Sequence, residues 1–258
     1  MQAFTPSRRS VCLAALGTLA VAFARAGLPE LIAAARPSVL PVGTYKETNS
    51  PRFGFRGTGF VVGDGTKVIT TFHVLPSVAN SVDSGALLVV QVPRGGGVFE
   101  QRVARVVRTD QDHDMAVLHV DGTPLPALPL AGPETVAEGT AIAFIGFPIG
   151  GVLGFSPVTH RGIVSSVTRI ALPAPTAQQL SARAVAQIRE GAFAVYQLDA
   201  TAYPGNSGGP VFDVATGRVI GVINMVLVNG TRESALTHPT GISYAIPVRF
   251  VRELLELR

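Results

Sequence analysis

Residues 203–210 read YPGNSGGP, a segment in which one serine, Ser207, stands among three glycines and two prolines. This composition favours neither a helix nor a regular strand, because glycine adopts positive φ freely whereas proline fixes φ and lacks an N–H group. We expect a stiff bend that presents Ser207 and turns the amides of Gly205 and Ser207 toward one point, as an oxyanion-binding site requires. An ordinary turn has the same composition, so this stretch alone leaves both interpretations open.

The composition of the whole chain indicates an all-β globular protein. Its 258 residues are 47% hydrophobic and only 15% charged, so the chain can bury a substantial core. The 28 glycines and 19 prolines indicate many turns between short strands rather than a helical bundle. Without the three arginines near the N-terminus, the 21 basic residues become 18 against 17 acidic ones, and this balance gives no support for nucleic-acid binding.

The first 26 residues have the pattern of an export signal. The apolar run at residues 11–24 follows a basic start, and it precedes a small-x-small cleavage site at residues 24–26. Adjacent Arg8 and Arg9 favour a twin-arginine signal, although an ordinary secretory signal explains the same residues. The run is too short to span a bilayer, so we expect a bacterial periplasmic or secreted protein with no membrane span after signal removal.

The only cysteine, Cys12, lies inside this predicted signal. The mature chain would then contain no thiol, which excludes disulfides, cysteine-based metal sites and a cysteine nucleophile. We therefore expect no cofactor and no metal.

Strand patterning divides the rest of the chain into two halves. A short helical segment at residues 28–35 comes first. The predicted strands are 38–44, 57–63, 67–71, 87–92, 101–107 and 115–120 in the first half, and 140–145, 158–170, 194–199, 210–212, 218–227 and 242–245 in the second. Short strands at this spacing are typical of a barrel or sandwich.

Three further segments complete the organisation. Residues 122–138 are rich in proline and predict a linker between the halves. Residues 177–190 carry an apolar stripe at helical spacing and predict an inserted helix, which either packs on the second half or acts as a lid or partner-binding element. Residues 248–258 predict a C-terminal helix.

Candidate partners for Ser207 stand at strand ends. A serine nucleophile needs a base, and the base needs a group that orients it. Of the five histidines, His73 directly follows the apolar strand 67–71, and Asp114 opens the strand DMAVL, where a buried carboxylate requires a partner. Each residue alone is also compatible with a structural role. Their order along the chain, His then Asp then Ser, favours a catalytic set.

These residues lie within motifs that together resemble the trypsin-like serine proteases of the Deg/HtrA kind. The matching segments are GTGFVV at 57–62, ITTFHV at 69–74, DMAVL at 114–118, GFPIG at 146–150, GIVS at 162–165, QLDA at 197–200, PGNSGGP at 204–210 and YAIP at 244–247. The resemblance implies two six-stranded β-barrels with the active site between them. The N-terminal segment and first barrel would then occupy residues 27–121, and the second barrel residues 139–247.

The resemblance also implies a role for each motif residue. Ser207 would attack the scissile carbonyl, His73 would take its proton, and Asp114 would orient the imidazole. The amides of Gly205 and Ser207 would bind the oxyanion. Asn206 stands where digestive relatives carry an aspartate that pairs with a newly cut N-terminus, so activation by that ion pair is not expected.

The specificity pocket is expected to include Ala202 and residues Val222, Ile223, Asn224 and Met225. None of these is acidic, so the sequence favours small or medium apolar P1 residues over Arg or Lys.

The implied function is a serine endopeptidase that hydrolyses unfolded or damaged exported proteins through a triad and an acyl-enzyme. Its partners would be polypeptide substrates, with homo-oligomerisation left open and no PDZ domain expected after the last helix. The alternative is a peptide-binding or chaperone module on the same fold. GNSGG also fits the nucleophile elbow of α/β-hydrolases, but that motif needs a helix after the serine, and Gly-Gly-Pro is a poor helix start.

Overall fold

The computed structural model describes residues 27–76, 85–148, 150, 154–170, 193–224 and 241–257. Within these ranges, twelve strands form two closed antiparallel barrels of six strands each. The all-β class and the two-barrel architecture predicted from the sequence are confirmed. The predicted export signal and the predicted inserted helix at residues 177–190 lie outside the described residues.

The first barrel is built from the first six strands. They are β1 (Val39–Tyr45), β2 (Phe53–Val62), β3 (Lys67–Thr71), β4 (Leu87–Gly95), β5 (Val98–Asp110) and β6 (Met115–Val120). The barrel closes in the spatial order β1-β2-β3-β6-β5-β4. β2 begins at Phe53, earlier than predicted, because it pairs with β1 as far as Tyr45.

The second barrel repeats this plan with the remaining strands. They are β7 (Ala141–Gly146), β8 (Val158–Ile170), β9 (Phe193–Asp199), β10 (Pro210–Asp213), β11 (Val219–Asn224) and β12 (Ile242–Pro247). Its spatial order is β10-β11-β12-β9-β8-β7. A strand, not a helix, thus follows the serine loop, which excludes the nucleophile-elbow geometry.

Two α-helices flank the barrels in the described ranges. Helix α1 spans Leu28–Ala35, as predicted, and a 3₁₀ turn at Arg36–Ser38 leads from it into β1. Helix α2 spans Val248–Glu256, and its buried side chains include Phe250, Val251 and Leu254. Neither helix is long and apolar enough to cross a membrane.

The buried apolar side chains form three clusters. One fills the first barrel around Leu40 and Leu118, and another fills the second barrel around Phe144 and Leu198. The third runs between the barrels and joins residues of both barrels to helix α2. Its members include Phe60, Met115, Ile145, Phe212, Ile246 and Val251. The two barrels therefore share one continuous apolar interface.

The segment between the barrels is hydrogen-bonded to both of them. The backbone N–H of Leu128 donates to Val61 O in the first barrel at 2.9 Å, and the N–H of Ala131 donates to Val219 O in the second at 2.8 Å. Leu130 and Val219 form a single parallel bridge. The linker thus helps to fix the cleft between the barrels.

Candidate active site

His73 lies at the mouth of the first barrel, in a 3₁₀ turn that follows β3. The β-branched sequence of β3 suits a buried strand, and the chain leaves it at the turn Phe72–Val74. The N–H of Phe72 donates to Asp114 O at 3.0 Å, which ties this turn to the start of β6. The His73 side chain keeps 32% of its surface exposed, so the ring remains accessible from the cleft.

Asp114 occupies the turn before β6 in a left-handed conformation. Its φ of 53° is the only positive value for a residue other than glycine in the described part of the chain. Aspartate is among the residues that tolerate this region. The turn brings the carboxylate back toward the end of β3, where the side chain is only 9% exposed. A carboxylate so deeply placed needs hydrogen-bond donors.

Three donors surround the Asp114 carboxylate. Oδ1 accepts the backbone N–H of His73 at 2.9 Å, and Oδ2 lies 2.6 Å from His73 Nδ1. The side-chain amide of Asn224 donates to the same Oδ2 at 2.8 Å. A carboxylate only accepts, so Nδ1 carries the imidazole proton and Nε2 is left as the free acceptor. The two bonds to His73 fix both the orientation and the tautomer of its ring.

Ser207 is presented by the second barrel on a tight turn. The N–H of Asn206 donates to Tyr203 O at 3.0 Å, with Pro204 and Gly205 as the two central residues. Gly205 has φ 103°, so proline and a positive-φ glycine occupy the positions that a type II turn requires. A side chain at Gly205 would place its Cβ 2.3 Å from Phe147 O, so only glycine fits.

Two amides of this turn have no acceptor within the part of the chain that the structure describes. Among the described contacts, neither the N–H of Gly205 nor that of Ser207 donates a hydrogen bond within the chain. Ser207 itself is 5% exposed, and its Oγ makes no hydrogen bond to His73 in the described part of the structure. Two free amides beside a serine hydroxyl are what an oxyanion-binding site provides.

Gly57 brings the serine loop against the His73 turn. A Cβ at Gly57 would lie 2.5 Å from Val74 Cγ2 and 3.0 Å from Ser207 O. The chain segments that carry His73 and Ser207 therefore converge on one glycine of β2. The segments that carry the three predicted residues His73, Asp114 and Ser207 therefore meet where the two barrels join.

Asn206 is tied to the second barrel by an imidazole. Its side chain is fully buried, and its Nδ2 lies 3.4 Å from His160 Nε2, while its Oδ1 has no partner. The His160 ring stacks on Phe144 at 4.6 Å. Burial lowers the pKa of His160, which favours the neutral ring that can accept from the amide.

The predicted pocket residues occupy different places. Ala202 and Ile223 are buried in the core of the second barrel, and Val222 belongs to the cluster between the barrels. Asn224 is fully buried beside Asp114, and Met225 lies outside the described residues. The assignment of these residues to a specificity pocket stays a prediction.

Sequence reasoning missed two contacts of the serine loop and one of the aspartate. Thr58 lies in the quoted GTGFVV motif, but its bonds to the loop span more than a hundred residues and leave no local signal. The contact of Asn224 with Asp114 spans 110 residues and that of His160 with Asn206 spans 46, and neither leaves a local signal. In the described ranges no three His, Cys, Asp or Glu side chains are grouped so that they could hold a metal.

The two barrels, with a histidine–aspartate pair on one and a serine loop on the other, define the class of two-barrel serine peptidases. The chain belongs to the trypsin-like peptidase domain family, whose model matches residues 57–222. That range contains His73, Asp114 and Ser207.

Curated relatives support the same family. A probable periplasmic serine endoprotease DegP-like of Pseudomonas fluorescens is 30% identical over 74% of this chain and 32% of its own length. A putative serine protease HhoA of Synechocystis is 29% identical over 76% of this chain and 41% of its own length. The chain thus spans about a third to two fifths of these relatives. The resemblance to Deg/HtrA proteases found in the sequence is confirmed.

Solved structures share the fold. The crystal structure of Deg5 has a TM-score of 0.62 and 24% identity, covering 87% of this chain and 90% of that one. The HtrA-type protease AlgW with a decapeptide has a TM-score of 0.61 and 23% identity, covering 88% of this chain and 65% of that one.

Proposed function

We propose that the chain is a serine endopeptidase in which Ser207 is the nucleophile, His73 the general base and Asp114 the residue that orients the base. The observation that carries this proposal is that two segments meet at Gly57. One is the turn of His73, whose Nδ1 lies 2.6 Å from Asp114 Oδ2, and the other is the serine loop, whose Gly205 and Ser207 amides donate no described hydrogen bond. This arrangement leaves Nε2 free to take a proton at the cleft.

The proposed reaction proceeds in two stages. Nε2 of His73 removes the proton of Ser207 Oγ as Oγ bonds to the scissile carbonyl carbon, and the carbonyl oxygen becomes an oxyanion. The amides of Gly205 and Ser207 donate to that oxyanion. The C–N bond then breaks as His73 returns the proton to the leaving amine, and water hydrolyses the acyl-enzyme by the same route.

The resting structure has no hydrogen bond between Ser207 and His73 in its described part. Such bonds are often long in free enzymes and tighten in the substrate complex. We propose that the Ser207 hydroxyl turns toward His73 Nε2 when a peptide fills the cleft.

The proposed substrates are unfolded or damaged polypeptides outside the cytoplasm. Relatives named periplasmic endoproteases support this location, and the sequence of residues 1–26 has the pattern of a cleavable signal. Mass spectrometry of the protein recovered from a bacterial periplasm should find an N-terminus at or near Gly27. An intact N-terminus at Met1 would contradict cleavage.

Labelling with a fluorophosphonate probe tests the chemical proposal. Wild-type protein should be labelled on Ser207, and Ser207→Ala should abolish labelling and lower casein turnover by about six orders of magnitude. His73→Ala should be similarly severe. His113→Ala is the matched control, because His113 has its own aspartate partner but does not contact the serine loop in any described bond. Labelling that survives in Ser207→Ala would refute the assignment.

A peptide-binding module with little protease activity is the second candidate. The missing bond between Ser207 and His73 in the resting structure favours it, because an unactivated serine is a weak nucleophile. In that case wild-type protein would bind unfolded casein, would not be labelled by the probe, and would not cleave the casein it binds.

A further inference from the structure

Thr58 of β2 is fully buried at the point where the first barrel meets the serine loop. It faces Pro41 of β1, while the pairing of β2 with β3 begins only at Phe60 and Ile69. Its carbonyl accepts the hydroxyl of Thr70 at 2.8 Å. Thr58 is therefore held by its own barrel, and its remaining polar groups are directed to the other one.

The backbone and the side chain of Thr58 both bond to the serine loop. The N–H of Thr58 donates to Ser207 O at 2.8 Å, and its Oγ1 donates to Gly205 O at 2.7 Å. Gly205 and Ser207 are the two residues whose amides donate no hydrogen bond among the described contacts. One residue of the first barrel thus holds the carbonyls of both residues that would bind the oxyanion.

The same hydroxyl reaches a third element. Its oxygen accepts the backbone N–H of Phe147 at 3.2 Å, and Phe147 O is the atom against which Gly205 is packed. The hydroxyl of Thr58 therefore donates its single proton to Gly205 O in the turn. The same oxygen accepts the N–H of Phe147, in the segment packed against the turn. Both partners belong to buried residues.

We infer that Thr58 is a positioning residue, whose hydroxyl fixes the oxyanion-binding turn in the orientation that stabilises the transition state. The inference rests on the proposed function, because it concerns the same site. Oxyanion donors are effective only when they are held in place before charge develops. The Gly205 carbonyl belongs to the Gly205–Asn206 peptide, which lies between the two peptide groups that carry the amides of Gly205 and Ser207. This central peptide cannot rotate away from Thr58 without leaving a buried acceptor unpaired.

Three substitutions at one position separate the hydroxyl from the volume of the side chain. Thr58→Ser keeps the hydroxyl and removes a methyl group. Thr58→Val keeps the shape and removes the hydroxyl, while Thr58→Cys offers a weak S–H donor at about the size of serine. The readouts are kcat and KM on a quenched peptide whose cleavage site has been mapped, and the inhibition constant of a peptide boronic acid with the same residues.

Thr58→Val should lower kcat by about 10-fold to 100-fold, since two buried groups lose their partner. KM should stay within about twofold, and boronate affinity should fall in parallel with kcat, because both report transition-state binding. Thr58→Ser should stay within about threefold of wild type, with Thr58→Cys between the two. If Thr58→Val does not fold, the comparison of Thr58→Ser with Thr58→Cys provides the test.

Two outcomes would overturn the inference while leaving the proposed function intact. One is a Thr58→Val protein with wild-type kcat and boronate affinity. The other is a loss in Thr58→Ser or equality of Thr58→Cys with Thr58→Ser, which would show that the hydroxyl is not the responsible group. A wild-type protein that neither reacts with the fluorophosphonate nor cleaves the peptide would instead refute the proposed function, and the inference with it.

Discussion

Two histidine–aspartate pairs lie close together in the chain, and their bond lengths do not distinguish them. In His73–Asp114 and in His113–Asp110, Nδ1 lies 2.6 Å from a carboxylate oxygen. In both pairs the backbone N–H of the histidine donates to the other oxygen, at 2.9 Å and 3.1 Å. The dyad geometry alone is therefore no sign of catalysis.

The surroundings of the two pairs differ. Asp114 receives a donor from Asn224 of the second barrel, and the turn of its histidine meets the serine loop at Gly57. His113 instead stacks on Phe250 at 3.9 Å and meets Phe193 edge-on at 4.7 Å. Its ring is packed between helix α2 and the second barrel. We assign proton transfer to the first pair, whereas the second pair joins the two barrels.

The acid of the second pair behaves as a structural ion. Burial alone would raise the pKa of Asp110, but the hydrogen bonds from His113 and the charge of His113 outweigh it and lower the pKa. This stabilisation is present above the unfolded value of about 3.9 and is lost as the pH falls through the lowered pKa. Asp110 therefore contributes to stability at neutral pH.

The matched substitutions Asp114→Asn and Asp110→Asn should show that the two pairs differ in their effect on kcat. Asp114→Asn should lower kcat by about 10⁴-fold, because the ring of His73 loses its fixed tautomer. Asp110→Asn should change kcat by less than about threefold and lower Tm. Steady-state kinetics and thermal melts on both proteins make the comparison. Equal losses of kcat would show that the two pairs work as one unit.

Phe250→Ala tests whether the packing around His113 serves stability rather than catalysis. Phe250 is buried between His113 and Phe193, so its truncation should cost about 3–5 kcal/mol of unfolding free energy. At temperatures well below Tm, kcat should be unaffected. Urea unfolding gives the free energy, and Phe250→Leu is the control, since it keeps most of the apolar volume and should lose less. A fall of kcat larger than the fall in folded fraction would contradict a purely structural role.

Asn224→Ala tests the contact through which the second barrel reaches the first pair. Its amide donates to a buried carboxylate, and loss of a hydrogen bond to a charged group should cost about 1.5–3 kcal/mol. The loss should appear partly in stability and partly as a lower kcat, with little change in KM. Unchanged kinetics and stability would mean that Asp114 is held by His73 alone.

His160 gives the smallest and most selective effect, because its ring contacts Asn206 rather than a carboxylate. Burial lowers the pKa of His160 in the folded state, so the unfolded chain binds the proton more readily. The stabilisation is complete above the ordinary value of about 6.5 and is lost as the pH falls through the lowered pKa. Melting curves from pH 5 to 8 should therefore converge for wild type and His160→Phe on acidification. If Tm changes with pH in the same way in both proteins, the neutral His160 ring does not contribute to stability.

Local signals explain how much of the fold could be predicted. β3, β6 and β8 have the bounds that the sequence predicted, because apolar or β-branched runs are flanked by turn residues there. His73, Asp114 and Ser207 could be proposed from the sequence because each stands in a distinctive short motif. The contacts that hold them were not found, since Asn224 and Thr58 bond to residues more than a hundred positions away. Such contacts arise only when two barrels close against each other.

The apolar cluster between the barrels makes the two halves of the chain depend on each other. The His73–Asp114 pair belongs to the first barrel and Ser207 to the second, so they share a cleft only while that cluster is intact. Opening of either barrel separates them as soon as it exposes a strand. For the proposed protease, a molecule in which one barrel opens would lose its activity in the same event that exposes its own backbone to proteolysis.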